Sequence, residues 1–536
     1  MQKSNRLILV TITVLLMALI LSACNAAPAT TKPTNTTPIQ PSTTKPAPAS
    51  TPAQQPQYGG TLKIIAIAGP TNLGDPRQVI NVPGLFCTVP AIENLFRYDE
   101  KGDIVPWLVT NWQNSADLKT ITLTLRKGVK FHDGTDFNAQ AEKELLDMIK
   151  PNLAELKAVT SVDIVDDYTI KLNLSKPQPG LLSSLASAQA GWVVSPTALK
   201  TQTKEWLLAN PVGTGPFKIA SFKRDVSIRY EKFDGYWQKG KPYLDAVEFN
   251  IMADPTVALM SFQAGEAQVL SEVTKKNGFD IQQAKQFRVG KVPSAIFTIA
   301  GDSANPKSPF ADIKVRMAVS YAIDTATIVR TQGYGFWDVT NQVFNPIVSA
   351  YNPATVGYPY NPDKAKQLLN EAGYASGIQT TLTYKSSTDT ELYTAVQSYL
   401  NAVGINVKLA LISQASYMDI LTKGWEGLID AQRIGVGPDL GAMLENLWSS
   451  KGTYNVSVMH PAELDAKIAQ ANSEIDPAKR VLELQEASKM IIDQYCLTSP
   501  ICATAFTGVW DPKLHDAKIR EFWVNQWIPE DAWLSK

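Results

Sequence analysis

Residue types able to do covalent or acid–base chemistry are few in this chain of 536 residues, which holds three histidines and four cysteines. Histidine stands beside aspartate at His132–Asp133 and again at His515–Asp516. Such pairs invite a general acid–base reading, because a carboxylate orients an imidazole and favours its charged form. Neither pair has a visible partner in the sequence, and there is no HExxH or GxSxG stretch. So few histidines do not suit an imidazole-built transition-metal site, although carboxylates alone can hold a hard cation. No metal and no cofactor is expected. The run from Gly235 to Lys241, GYWQKGK, comes within one residue of a phosphate-binding loop. Pro242 then stands where a hydroxyl would hold magnesium, and it offers no N–H to a phosphate. Cys496 and Cys502 allow a disulfide, which an exported chain permits. The short closed loop would give only about 2 kcal/mol. Two buried thiols is the other reading, and both stay open. Cys87 reads as a lone small hydrophobe.

The elements that carry these residues show in their periodicity. Ile121, Leu123 and Leu125 alternate with Thr122, Thr124 and Arg126, the pattern of a half-buried strand. Gly128 breaks it, and Asp133-Gly134 supplies a turn. Asn138 stands where an N-cap belongs, ahead of Ala141, Leu145, Met148 and Ile149, and Pro151 ends that helix. Tyr168, Ile170, Leu172 and Leu174 give another half-exposed strand. Leu62 to Ile67 reads as a buried strand, and Pro211 to Phe217 as a glycine-rich bend into a strand. From about Asp312 a second large α/β unit begins. Val315, Ala318, Val319, Ala322 and Ile323 share a helical face. Asn361-Pro362 reads as N-cap and N1 of a helix that Gly373 closes. Leu382–Tyr384, Leu392–Val403 and Val407–Leu411 then form a βαβ unit. Helices at Ala462–Ile475 and Ala478–Ile492 follow.

Composition bounds the rest. Lys+Arg and Asp+Glu both number 50, so nothing points to nucleic acid, whose partners carry a basic footprint. Hydrophobic residues at 44% and charged residues at 19% are ordinary for a soluble globular chain with more than one core. The N-terminus differs. Lys3 and Arg6 precede an apolar run, Leu7 to Leu21, that ends in Leu-Ser-Ala-Cys24. Residues 1–23 therefore read as a signal peptide, and the junction resembles the bacterial lipobox, with Cys24 as the lipidated residue. Residues 24–57 are rich in Pro and Thr, too polar to offset their ordering entropy. They read as a disordered tether that could hold the fold on the order of 50–100 Å from a membrane.

Several segments share one resemblance. LRKGVKFHDGTDFNA (Leu125–Ala139), GGTL after Tyr58, AIENLFRYD with Pro106-Trp107-Leu108, PVGTGPF (Pro211–Phe217), GYWQKGKPYLDAVEF from Gly235 and YNPDKAKQLLNEAGY from Tyr360 resemble the bacterial extracellular solute-binding proteins of family 5. These are receptors of peptide, nickel and related ABC importers. Phe262–Gln268 also matches, except that Gln268 stands where relatives usually have aspartate. The resemblance implies an α/β, two-lobed fold of the type II periplasmic-binding-protein kind, with a hinge and a small domain inserted in the N-terminal lobe. Residues 58–95, 208–303 and 498–536 would form the first lobe, 96–207 the insert and 304–497 the second lobe.

The same resemblance implies a non-enzymatic, monomeric receptor on the extracytoplasmic side, lipid-anchored to the cell membrane. Its partners would be a small solute, an oligopeptide by default, and a membrane permease. In peptide-binding relatives, a loop of the second lobe pairs an aspartate with the ligand's amino group. By that match the residues here are Asp439 for the ammonium and Arg433 for a ligand carboxylate, with Trp192 and Trp425 as cleft candidates. The alternative for the charged pair is a loop salt bridge. The loop also departs from relatives, with Val436 where they carry tryptophan, so a nickel complex, an opine or an oligosaccharide stays open as ligand. A surface-tethered hydrolase using two carboxylates is the rival from another class. A sensor that binds without transport is the third reading.

Overall fold

In the computed structural model the strand at Thr120–Leu125 alternates buried and half-buried residues along its length, as its sequence demands. The structure describes residues 55–536, apart from 79, 100–102, 188, 386–389, 432, 433, 436, 438 and 520–526. Cys24 and Arg433 therefore lie outside the described residues. The strand is central in a four-stranded antiparallel sheet, in the order Val109–Asn114, Thr120–Leu125, Thr169–Leu174, Val159–Asp166. The helix Ala139–Ile149 starts at Asn138, whose side chain accepts from the Ala141 N–H at 2.9 Å. That bond satisfies a donor the first turn leaves open.

The main sheet has ten strands. In one half, Thr61–Ala66 lies parallel between Ala246–Ile251 and Val269–Leu270. In the other half, Ile378–Lys385 lies parallel between Ile405–Ile412 and Leu428–Asp430. Two long strands, Arg288–Gly301 and Ser499–Trp510, cross the middle side by side and antiparallel. Arg288 pairs with Trp510 at the first half, and Ile299 pairs with Ser499 at the second. Between these ends the register slips at Pro293/Ile296 and again at Phe297/Thr298. Such slips bend a strand and raise its twist, so the sheet is irregular where its halves join.

Each half has its own core. Leu62, Leu123, Leu145, Leu185 and Phe217 belong to one cluster, which joins the first half to the small sheet. In the second half Leu428 packs with Val315, Leu368, Leu382 and Leu400. Its neighbour Ile429 packs instead with Tyr417, Leu444, Trp448 and Ile491. Adjacent residues of one strand thus feed cores on opposite faces, as expected of a parallel sheet covered by helices on both sides. The helices Ile313–Ala322, Pro362–Glu371 and Thr390–Ala402 stand where the periodicity puts them, with Asn361 capping the second. Gln268 also finds a role, since its Oε1 accepts the Lys63 N–H at 2.9 Å and extends the pairing of neighbouring strands.

The disulfide reading is corrected. Cys496 and Cys502 are both buried thiols that are not bridged. Cys502 packs in the second-half core, whereas the Cys496 sulfur lies 3.5 Å from the Ser320 hydroxyl. Burial raises the Cys496 pKa, which further disfavours the thiolate needed for exchange.

Candidate functional site

In open α/β sheets, ligands lie outside the carboxyl ends of the strands, where strand order reverses. Here the carboxyl end of Thr61–Ala66 opens into a cavity of about 120 Å³. Its walls are Ile67, Ala68, Pro83 and Phe86 on one side, and Phe506 of the crossing strand on another. Ser271 and Glu272, just past Val269–Leu270, supply its polar rim. The Ser271 N–H donates to the Ile65 carbonyl at 2.9 Å, which fixes that rim against the neighbouring strand. The cavity's apolar lining with a few placed polar groups is that of a small-molecule site, but at about 120 Å³ it is smaller than the roughly 300–1,000 Å³ such a site usually has.

The second half approaches through the segment that leaves Leu428–Asp430. At its end Asp439 caps the helix Leu440–Trp448, with its carboxylate accepting from the Ala442 N–H at 3.1 Å. The same oxygen takes a hydrogen bond from Arg480 Nη2 at 2.8 Å. Asp439 also abuts Gly180, which lies ahead of the first-half helix Leu181–Ser187. Beside this contact lies a chamber of about 240 Å³. Lys157, Lys176 and Gln178 line it from one half, and Asp439, Glu445 and Arg480 from the other. The carboxylate expected to meet a ligand ammonium is thus engaged by Arg480. The two tryptophans expected as cleft candidates are both buried. Trp192 is 5% exposed in the first-half core, and Trp425 is 9% exposed in the second-half core.

The acid–base pairs resolve into structural joints. His132 is buried, and burial pushes its pKa down to about 4, so the ring is neutral at pH 7. Its Nε2–H donates to the Gly215 carbonyl at 2.9 Å, and its backbone N–H donates to Gly213 at 2.9 Å. Asp133 accepts from the Ser195 hydroxyl at 2.5 Å. His515 stacks on Trp533 with ring centroids 4.0 Å apart, and Asp516 accepts from the Trp533 indole at 2.7 Å.

Sequence reasoning missed the residue on which four of the recognisable motifs converge. Glu93 is fully buried and accepts from Thr214 Oγ1 at 2.8 Å, Trp107 Nε1 at 2.9 Å, Tyr236 Oη at 3.0 Å and Trp237 Nε1 at 3.2 Å. Burial pushes its pKa up to about 7, against the pull of the nearby Arg97. Arg97 lies 3.5 Å over the Trp107 ring and pairs with buried Glu530 at 2.5 Å. The segments ENLFR, PWL, VGTGPF and GYW thus carry one joint, which ties separate stretches of the first half together. No local signal could have found it, since Trp107 and Trp237 stand 14 and 144 positions beyond Glu93 and no spacing rule links the four segments.

Comparison with known proteins agrees with this architecture. A family model described as "Bacterial extracellular solute-binding proteins, family 5 Middle" matches residues 103–455. The glutathione-binding protein GsiB of Shigella flexneri is 29% identical over 449 residues, covering 81% of this chain and 86% of that protein. Among solved structures, the periplasmic binding protein DppA from Helicobacter pylori in complex with peptide STSA superposes with a TM-score of 0.75. It is 21% identical and covers 90% of this chain and 99% of its own. NikA from Brucella suis in complex with Fe(III)-EDTA gives a TM-score of 0.76 at 23% identity, over 87% of this chain and 99% of its own. These two likenesses show a shared fold.

Proposed function

Since the chain belongs to the family 5 bacterial extracellular solute-binding proteins, we propose that it is the receptor of an ABC importer and takes a small carboxylate-bearing solute, by preference an oligopeptide. The observation that carries this reading is the family match over residues 103–455, on a sheet whose two halves are joined by crossing strands. The crossing strands act as the hinge, and ligand stabilises the closed form that a permease recognises. The ligand class is supported by the similar proteins: glutathione, a four-residue peptide and EDTA all bear carboxylates. The His–Asp pairs favour binding over catalysis, because His132 Nε2, Asp133 and Asp516 are each held in a structural bond. Asp439, already paired with Arg480, serves the wall of the closed cleft; a ligand ammonium reaching it would have to compete with that guanidinium. Cys24 is the lipid attachment point, and residues 24–57 form the tether of a monomeric receptor outside the cytoplasm.

A thermal-shift screen tests the ligand class. A ligand present at a hundredfold excess over its Kd stabilises by about 2.7 kcal/mol. Short peptides or glutathione should raise the Tm, and N-terminal acetylation of the peptide should cost little, because Asp439 is engaged by Arg480. Stabilisation by a neutral sugar with no response to any carboxylate would refute the class.

A further inference from the structure

Gly180 stands where two separate cores meet. The helix that follows it, Leu181–Ser187, sends Leu181, Leu185 and Ala186 into the first-half core. The residue it touches, Asp439, caps a helix whose Leu444 and Trp448 belong to the second-half core. A Cβ placed on residue 180 would lie 2.0 Å from Asp439 Oδ2, 2.2 Å from its Cγ and 2.6 Å from its Cβ. Atoms cannot approach so closely, so one side must move. Asp439 cannot swing away cheaply. Its carboxylate holds the first turn of its own helix at Ala442 and takes a bond from Arg480 at 2.8 Å. Arg480 is fixed in turn, since its Nε donates to the Ala471 carbonyl at 3.2 Å. The backbone at Gly180 is not in the left-handed region, so conformation alone would admit any residue there. Space alone excludes one.

We propose that Gly180 is a positioning residue for closure: the missing side chain lets the first half seat against the Asp439–Arg480 pair, which acts as a stop built from protein groups alone. The inference rests on reading the chain as a receptor that opens and closes about the crossing strands. A side chain at position 180 would wedge the halves apart at this point. The chamber lined from both halves beside the contact would widen with it.

Small-angle scattering of the purified full chain, saturated with a mixture of short peptides so that the closed form is populated, reads the effect directly. Gly180→Val should give a larger radius of gyration than the native sequence. The double variant Gly180→Val with Asp439→Gly, which removes the atoms the valine meets, should return to the native value. Circular dichroism checks that each variant is folded. If the valine variant melts early, Gly180→Ala carries the same comparison, because the overlap begins at Cβ. Equal radii for the native and position-180 variants would overturn the proposal, and so would a double variant that stays expanded. The native chain is also read without peptide: a native radius that does not fall when peptide is added overturns the receptor reading, whereas a native radius that falls while the position-180 variants match it overturns this proposal alone.

Discussion

Glu142 places a carboxyl group in the first turn of the helix Ala139–Ile149, 1% exposed, with Oε2 lacking a hydrogen-bond partner. Burial pushes its pKa up to about 8. The unfolded chain ionises the same group near pH ~4.3. Its folded pKa is the higher one, so the native state binds the extra proton between these values. Stability is therefore lost as pH rises from the unfolded pKa towards the folded one, by about 1.4 kcal/mol per unit. Glu142→Gln should unfold at higher denaturant than the native chain at pH 8 and near the same denaturant at pH 4. A difference that ignores pH would contradict the buried neutral acid. Arg97 makes the opposite case. Its removal in Arg97→Ala leaves Glu530, 1% exposed, buried without its cation. The expected loss is about 3–5 kcal/mol, read by chemical denaturation.

Elements were legible wherever their signals are local. Asn138 and Asn361 cap the helices they precede, because a cap needs only the next few residues. Asn138→Ala should cost about 1 kcal/mol for that reason, measured as a fall in Tm. Signals that join distant segments were not legible. Glu93 is met by residues as far along as Trp237, and Asp439 by Arg480, 41 positions later. The PVGTGPF stretch was recognisable, yet its purpose lies in a neighbour: a Cβ on Gly213 would sit 2.1 Å from the Ala91 carbonyl oxygen. The burial of the cleft candidates Trp192 and Trp425 was not legible either, because burial needs the whole core. Only one of the two open readings for Cys496 and Cys502 survives the packing around them.

At the scale of the molecule, a continuous sheet with separate cores and a slipped register in its middle suits a device with two arrangements. The halves are joined covalently and by pairing through Arg288–Gly301 and Ser499–Trp510, and they touch again at Gly180 and Asp439. A ligand bound between them favours closure only by as much as it prefers the closed form. The sequence carried the family and hence this architecture, through motifs of which four build the joint around Glu93. The ligand was not legible, because the residues expected to name it, Arg433 and Asp439, were placed by resemblance alone and Asp439 is engaged by Arg480. The most direct test is to purify the protein without denaturation, unfold it, and identify released small molecules by mass spectrometry. Short peptides or another carboxylate-bearing solute, in near-stoichiometric amount, is the predicted result. Release of a solute without carboxylates would contradict the ligand class, and a protein that neither releases a solute nor takes one up from a peptide mixture would contradict the receptor.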